Sequence, residues 1–258
     1  MSGGATLKET SLDVVFTARE VPCRDLEGVG VVVVDVLRAT TTLTAALAAG
    51  AQGVWPVDHP DKARSLGRKL GALVGGEREG LALPGFDLGN SPLEYTREVV
   101  AGKPIVLTTS NGTMALGHSR AGRWVIAGCF NNLEAVASHI EASETCPVLI
   151  VCAGTDRGSR LSEEDLLFAG ALTRRLIKGD PSRWHLEGGA VAAREYAAEK
   201  RGSVADAFQE MAHVRYLVDL GLGDDVTWAS RTGTSDTVAV MAEDAAGRPY
   251  LKALGDDV

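Results

Sequence analysis

The chain has few of the features that build disulfide-rich, zinc-binding or membrane-spanning proteins. It contains four cysteines, and no two of them form a Cys-x-x-Cys pair. This spacing predicts reduced, mostly buried thiols and argues against a disulfide framework or a zinc cluster. No apolar run reaches the roughly 18 residues that a membrane-spanning helix needs, and residues 1–8 carry no apolar signal core. We therefore expect a cytoplasmic protein that does not contact membranes.

Positive charge is also scarce, with 26 Lys and Arg residues against 34 Asp and Glu and a net charge of −8. A nucleic-acid-binding protein needs a basic face, so this balance favours a small molecule as the partner. Any anion that binds must then meet local positive groups. The five histidines follow no metal-ligand spacing, and we assign none of them a role. The sequence also lacks a Gly-x-Ser-x-Gly elbow and a phosphate-binding Gly-x-x-x-x-Gly-Lys-Ser/Thr loop.

The order of apolar segments predicts an α/β protein. Strand-length runs such as 29–34 and 148–152 alternate with segments of helical period such as 60–70 and 163–178. This alternation indicates parallel strands joined by crossover helices. We predict a single domain over all 258 residues, built on a mainly parallel sheet with helices on both faces. A helix-rich C-terminal region follows, with a helical sub-region at 186–225 and then a final pair of strands.

The most informative segment is 31–42, which reads Val-Val-Val-Val-Asp-Val-Leu-Arg-Ala-Thr-Thr-Thr. Four consecutive valines suit a strand that is covered on both faces. Asp35 then lies at the C-terminal end of this strand, Arg38 follows with its fork of donors, and one of the threonines can cap the next helix. A helix cap with a buried Asp–Arg pair would explain the segment by structure alone. We favour a functional site, because carboxylates at strand ends of α/β folds so often belong to one.

Other strands of this prediction also end in polar or glycine-rich loops. The side chains that these loops would gather at one edge of the sheet are Asp35, Arg38, Glu77, Arg78, Asn111 and Thr113. Because the C-terminal ends of parallel strands share an edge, this set predicts an anion site with a metal. Segment 109–113 has two interpretations. It is either a turn with a helix cap, or a nest of N–H groups around phosphate. In the second case Gly112, which has no side chain, lets the backbone approach the phosphate closely.

Two further segments leave alternatives open. The polar stretch 85–92 is either a surface loop or a binding loop, and Pro84 just before it and Pro92 at its end make it stiffer than a linker. The acidic stretch 161–165 opens a helix, which Ser162 or the acids can cap. Glu164 or Asp165 could instead complete a Mg²⁺ site with Asp35, since this ion prefers carboxylate oxygens. The sequence does not decide which of the two faces inward.

Taken in this order, the motifs resemble the 2-phosphosulfolactate phosphatase family. The resemblance spans most of residues 29–170 and becomes less distinct after about Ala190. The segments that carry it are Asp35–Thr42, Gly76–Arg78, Gly85–Pro92, Thr108–Thr113 and Glu164–Asp165. It implies an α/β fold of its own kind and a Mg²⁺-dependent phosphatase that releases phosphate from 2-phospho-3-sulfolactate, on the route to coenzyme M.

The resemblance also implies roles for individual residues. Mg²⁺ held by Asp35 with Glu164 or Asp165 would bind the phosphate, and Arg38 would neutralise its oxygens. Asp35 or Glu77 would attack phosphorus or orient a water, and the sequence does not choose between them. The predicted substrate-binding residues are Thr40, Arg78, Asn90, Ser91, Thr109, Asn111, Gly112 and Thr113. Of these, Arg78, Asn90 and Ser91 would serve the carboxylate and sulfonate of the substrate.

Two other functions fit parts of the pattern. A haloacid-dehalogenase-type phosphatase would use Asp35 as its nucleophile, but that class requires Asp-x-Asp and residue 37 is Leu. A non-catalytic module for a phosphorylated metabolite would explain the loops and leave the carboxylates without a purpose. Metal-dependent turnover separates these functions. A homodimer is the expected oligomeric state.

Overall fold

The computed structural model describes residues 10–255, and the segment 1–8, where the sequence predicts no signal core, lies outside them. The strands are β1 (Thr10–Val15), β2 (Gly30–Val34), β3 (Gly53–Pro56), β4 (Leu73–Arg78), β5 (Leu81–Ala82), β6 (Pro104–Thr108), β7 (Trp124–Gly128), β8 (Val148–Cys152), β9 (Trp184–Leu186), β10 (Ala239–Glu243) and β11 (Pro249–Ala253). The α-helices are α1 (Ala39–Ala48), α2 (Pro60–Leu70), α3 (Arg97–Val100), α4 (Gly112–Ser119), α5 (Leu133–Ala142), α6 (Glu163–Gly179), α7 (Gly188–Glu199), α8 (Val204–Gln209), α9 (Ala212–Asp219) and α10 (Gly223–Ala229). Short 3₁₀ turns span Ala18–Cys23, Pro92–Glu94 and Phe130–Asn132.

The strands form a single sheet in the order β5-β4-β6-β3-β11-β10-β7-β2-β8-β1-β9, in which six of the ten neighbouring pairs are parallel. The valines of β2 are all fully buried, since both faces of the sheet are covered. Val31 and Val33 pack in a core with α1, α3 and α4, and Val32 and Val34 pack in a second core with α5 to α10. The predicted α/β class, with helices on both faces and a helical C-terminal region, is confirmed.

The prediction that the C-terminal ends of these strands lie at one edge of a parallel sheet is wrong. The antiparallel hairpin of β10 and β11 separates two parallel sets, β4-β6-β3 and β7-β2-β8-β1-β9. These sets run in opposite directions, so a flat sheet would put their C-terminal ends at opposite edges. Neighbouring strands rotate by about 20–25°, which gives roughly 100–125° over the five steps from β2 to β6. The loops of both sets nevertheless meet. Arg38, which follows β2, donates to the carbonyl of Gly80, which follows β4 (2.5 Å).

Several predicted boundaries also need correction. Helix α1 begins at Ala39, so Thr40, Thr41 and Thr42 lie inside its first turns and none of them is the N-cap. Strand β4 continues through Gly75 and Gly76 to Arg78, a stretch that its glycines and charges mark as a loop in the sequence. The short strands β5 and β9 have no counterpart in the prediction.

The described cysteines and helices agree with two other expectations. All four cysteines are free thiols, and three of them are buried. Across residues 10–255, no helix combines the length and the apolar character that a membrane span requires.

Candidate active site

The candidate site lies where the N-termini of α1 and α4 come together. Helix α1 leads from β2 to β3 and helix α4 from β6 to β7, so each crosses from one parallel set to the other. A Cβ atom placed on Gly112 would lie 2.5 Å from Ala39 Cβ and 2.7 Å from Asp35 Oδ2. Gly112 is therefore in close contact with the Asp35 turn, and the approach of its backbone to a phosphate stays a prediction. Two helix N-termini at one point favour an anion between them.

Asp35 is buried at the end of β2, with one carboxylate oxygen held in place. The Ala39 N–H donates to Asp35 Oδ1 (3.1 Å), and Oδ2 faces Gly112. Burial raises the pKa of Asp35 from 3.8 to about 6, and the charges of Glu77 and Glu164 add to this against the opposing effects of Ala39 and His213. A carboxyl group with such a pKa can exchange a proton near neutral pH.

Arg38 is buried and held by a residue that the sequence prediction missed. Its Nη1 donates to Asp225 Oδ2 (2.6 Å), and both side chains are at most 4% exposed. The Ser91 hydroxyl donates to Asp225 Oδ1 (2.6 Å), so this carboxylate joins α10 to the 85–92 segment and to the start of α1. The predicted residue Ser91 thus reaches the site region, with its hydroxyl directed to Asp225.

Glu164 and Asp165 differ in what their oxygens contact. Asp165 accepts from the N–H groups of Val36 (2.9 Å) and Gly154 (3.2 Å), so its carboxyl group ties the loop after β2 to the loop after β8. Burial, with the charges of Asp35 and Glu164, raises the pKa of Asp165 well above its usual range. Glu164 Oε1 is hydrogen-bonded to His213 Nδ1, and its Oε2 is buried without a partner among the described residues. Glu164 is therefore the acid with an oxygen left for a ligand.

His213, on α9, was given no role from the sequence. Burial lowers its pKa, but the hydrogen bond and the charge of Glu164, with the charge of Asp35, outweigh this and leave the pKa above its usual value. The same helix contacts the opposite side of the site, since the Tyr216 hydroxyl donates to the Glu79 carbonyl (3.0 Å). No spacing in the sequence marks His213 or Asp225, because each meets its partner through folding alone.

Glu77 and Arg78 end β4 and mainly hold neighbouring segments. Glu77 Oε1 accepts from the Ser110 N–H (2.7 Å), and Oε2 accepts from the Gly80 N–H (3.0 Å). Arg78 Nη2 donates to the Thr108 hydroxyl (3.0 Å). Arg78 therefore joins the β4 end to the last residue of β6, and Glu77 joins it to the loop that follows.

The remaining predicted residues surround the two helix starts. The Thr40 hydroxyl donates to the Asp35 carbonyl (2.8 Å). The Thr113 N–H donates to the Thr109 hydroxyl (3.2 Å), and the Thr113 hydroxyl donates to the Thr109 carbonyl (3.1 Å). A contact between any of these three hydroxyls and a phosphate stays a prediction. The Oδ1 atoms of Asn90 and Asn111 are buried without a described partner.

The buried charges in this region do not balance. Within residues 10–255 the buried carboxyl groups are Asp35, Glu77, Glu164, Asp165 and Asp225, whereas Arg38 is the one buried Arg or Lys. Buried carboxylates are costly unless they are paired, hydrogen-bonded or bound to a metal. The donor set is oxygen-rich, and it includes the unpartnered Glu164 Oε2, so its chemistry fits a hard cation such as Mg²⁺.

The described residues hold no cluster of three or more His, Cys, Asp or Glu side chains that could bind a metal by themselves. Mg²⁺ does not require one, because it commonly binds through one or two carboxylates and completes its shell with waters and substrate phosphate. Glu164 and Asp35 are the residues that could supply such carboxylates.

The contact at Gly112 gives a test of the site geometry. We expect Gly112→Ala to destabilise the fold by about 1–3 kcal/mol, since the added methyl must push α1 and α4 apart. Because a shift near 1 Å in a site can cost about 10²-fold, activity should fall by a similar factor. Thermal unfolding and turnover measure the two effects.

Gly117 offers the matched control on the same helix. A Cβ atom there meets nothing within 4 Å, so Gly117→Ala should stabilise α4 by about 0.5–1 kcal/mol and leave activity unchanged. If both alanine variants behaved alike, the close approach at Gly112 would not matter.

The fold and the site together define an α/β protein with a buried, carboxylate-rich candidate site at two helix N-termini. A family model described as 2-phosphosulpholactate phosphatase matches residues 15–244. The chain belongs to the 2-phosphosulfolactate phosphatase family, a family of phosphoric monoester hydrolases, which confirms the resemblance. The match includes helices α9 and α10, where the sequence resemblance is less distinct.

Individual relatives are similar over most of their length. A probable 2-phosphosulfolactate phosphatase of Thermotoga petrophila is 41% identical over 220 residues, which cover 85% of this chain and 92% of the relative. The protein with the same name from Symbiobacterium thermophilum is 38% identical over 86% of this chain and 95% of its own. The one from Clostridium perfringens is 34% identical over 88% of this chain and 92% of its own.

Proposed function

We propose that the protein hydrolyses 2-phospho-3-sulfolactate, or a similar phosphorylated hydroxy acid, with the help of Mg²⁺. The observation that carries the proposal is the excess of buried carboxyl groups beside two helix N-termini, in a chain of this family. An anionic ester would be repelled by such carboxylates alone. With a divalent cation held by these carboxylates, the same site would attract the ester.

The cation would be held by Asp35 and by Glu164, whose Oε2 has no other described partner. When bound, Mg²⁺ supplies charge that stabilises the phosphoryl oxygens. Asp165 supports this pair indirectly, because its hydrogen bonds to Val36 and Gly154 fix the loops around it.

The chain's own residues account for positioning and for proton transfer. Arg38, fixed by Asp225, and the N-terminal turns of α1 and α4 bind the phosphate oxygens. Asp35 Oδ2 accepts the proton of the attacking water as its oxygen bonds to phosphorus and the ester P–O bond breaks. Asp35 then returns this proton to the leaving hydroxy acid, so that one water is consumed and phosphate is released.

The test is phosphate release from racemic 2-phospho-3-sulfolactate and from a panel of phosphorylated hydroxy acids, with Mg²⁺ and with EDTA. We expect turnover that EDTA abolishes. Glu164→Gln should raise the Mg²⁺ concentration for half-maximal activity by at least about 10-fold, the scale seen when the surroundings of a metal ligand are disturbed.

Glu163→Gln is the adjacent control, expected to leave that concentration within about 3-fold, because Glu163 accepts from the Tyr196 hydroxyl (3.3 Å) and a glutamine oxygen can keep this hydrogen bond. Turnover that continues in EDTA would contradict the proposed role of Mg²⁺. Tight ester binding without release from any compound would favour the non-catalytic module.

A further inference from the structure

The loop after β8 holds an arginine in an uncommon backbone conformation. Asp156 and Arg157 both have positive φ, 50° and 56°, a region that costs non-glycine residues of order 1–3 kcal/mol each. Backbone hydrogen bonds maintain this shape, since the Thr155 N–H donates to the Arg160 carbonyl (2.8 Å). Arg19 Nε also donates to the Arg157 carbonyl (3.0 Å). Such conformations persist where the surrounding structure imposes them, and they cluster at binding sites.

This loop packs against the first turns of α4, beside the candidate site. A Cβ atom on Gly158 would lie 2.9 Å from Met114 Cε, and Met114 is two residues beyond Gly112. The loop starts at Gly154, whose N–H donates to Asp165 at the beginning of α6 (3.2 Å). Arg157 is therefore at the rim of the site, between the helix that carries Gly112 and the helix that carries Glu164.

Arg157 has no counterion among residues 10–255. Its side chain is exposed, and it makes no hydrogen bond or ion pair with any residue in 10–255. Arg78 also lacks an ion-pair partner within 4 Å in this part of the chain. Its Nη1 donates to the Glu77 carbonyl (2.6 Å), and its Nη2 donates to the Asp58 carbonyl (3.3 Å) and the Thr108 hydroxyl (3.0 Å), which leaves Nε and one N–H of Nη1 for a ligand. Burial lowers the pKa of Arg78, and the nearby Arg157 lowers it further against the opposing charge of Glu77. Arg78 contacts Thr108, where β6 ends, and the Arg157 loop contacts Met114 in the first turn of α4, so both arginines flank the 109–113 segment. An anion bound at this segment can accept from both guanidinium groups.

We propose that Arg157, with Arg78, binds the second anionic group of the substrate, a carboxylate or sulfonate, and makes the site selective for phosphate esters of small acids. The identity of the ester rests on the proposed function. The binding of the second anion does not, because it requires no turnover.

The experiment compares Arg157→Asn with wild type on three esters. Asparagine tolerates positive φ, so this variant removes the charge and keeps the loop. The esters are 2-phospho-3-sulfolactate, 2-phospholactate, which lacks the sulfonate, and phenyl phosphate, which has no second anion. We expect kcat/KM to fall about 10- to 100-fold on 2-phospho-3-sulfolactate, mostly through KM, and less than about 3-fold on phenyl phosphate. An equal fall on 2-phospholactate assigns the arginines to the carboxylate, and an unchanged value there assigns them to the sulfonate. Arg160→Gln, in the same exposed loop, should change none of the three.

Calorimetric binding of 3-sulfolactate, which carries both acid groups and no phosphate, separates this inference from the proposed function. We expect Arg157→Asn to weaken binding about 10-fold, and Arg160→Gln to leave it unchanged. If wild type hydrolyses no ester but shows this difference, the anion site stands and the phosphatase proposal fails. Equal loss on all three esters, or 3-sulfolactate binding that does not depend on Arg157, would overturn the inference.

Discussion

Asp35→Asn is expected to abolish turnover while making the fold more stable at neutral pH. The asparagine Oδ1 can still accept from the Ala39 N–H, so the start of α1 is preserved. Activity should fall by at least about 10³-fold, because the site loses both a proton acceptor and a negative ligand. This combination of lost function and gained stability distinguishes a functional carboxylate from a structural one.

The sign of the stability change follows from the pKa. The folded chain raises the pKa of Asp35 to about 6 from 3.8, so its ionised form is disfavoured in the fold. This cost is absent near pH 4, grows as the pH rises from about 4 to 6, and is complete above pH 6. A difference of 2.2 pKa units corresponds to about 3 kcal/mol as an upper limit. Asp35→Asn should recover a large part of it at pH 7.5.

Denaturant unfolding in EDTA, at pH 4 and pH 7.5, measures this effect without a metal. Wild type and Asp35→Asn should differ little at pH 4 and clearly at pH 7.5. Asp61→Asn is the control, because the Asp61 side chain is 79% exposed and its loss should change stability by less than about 1 kcal/mol. A variant less stable than wild type at pH 7.5 would show that the Asp35 charge is compensated in the fold.

Removal of Asp225 is expected to cost about 3–5 kcal/mol, the largest loss of stability among these predictions. Asp225→Ala leaves the guanidinium of Arg38 buried without its ion pair and removes the acceptor of the Ser91 hydroxyl. Thermal unfolding should show a large fall in Tm. Lys62→Gln breaks an exposed pair with Asp58 and should change stability by at most about 1 kcal/mol.

The double variant Arg38→Met/Asp225→Ala separates stability from chemistry. We expect it to be less destabilised than the sum of the two single variants, because no buried charge is then unpaired. It should still lose activity by at least about 10²-fold, since the phosphate loses its buried cation. Additive effects on stability would show that the two side chains are not coupled, in conflict with their 2.6 Å contact.

The sequence by itself determined the elements and the chemistry of the main loops. Apolar period and length are local properties, so α2 at Pro60–Leu70 and β8 at Val148–Cys152 could be predicted to the residue. Asp35 after four valines and Gly112 after β6 could be singled out for the same reason, because the end of a strand is visible in its own residues.

Tertiary structure alone decided how these loops meet and what completes the site. The reversal between the two parallel sets depends on where the C-terminal hairpin inserts, and no local pattern records that. Arg38 and Asp225 are 187 residues apart, and their pairing follows from the packing of α10. Glu164 and Asp165 lie about 100° apart around α6, so only the orientation of that helix decided which acid meets His213 and which meets the backbone. Contacts between distant segments depend on the whole fold, whereas sequence patterns report only on neighbours along the chain.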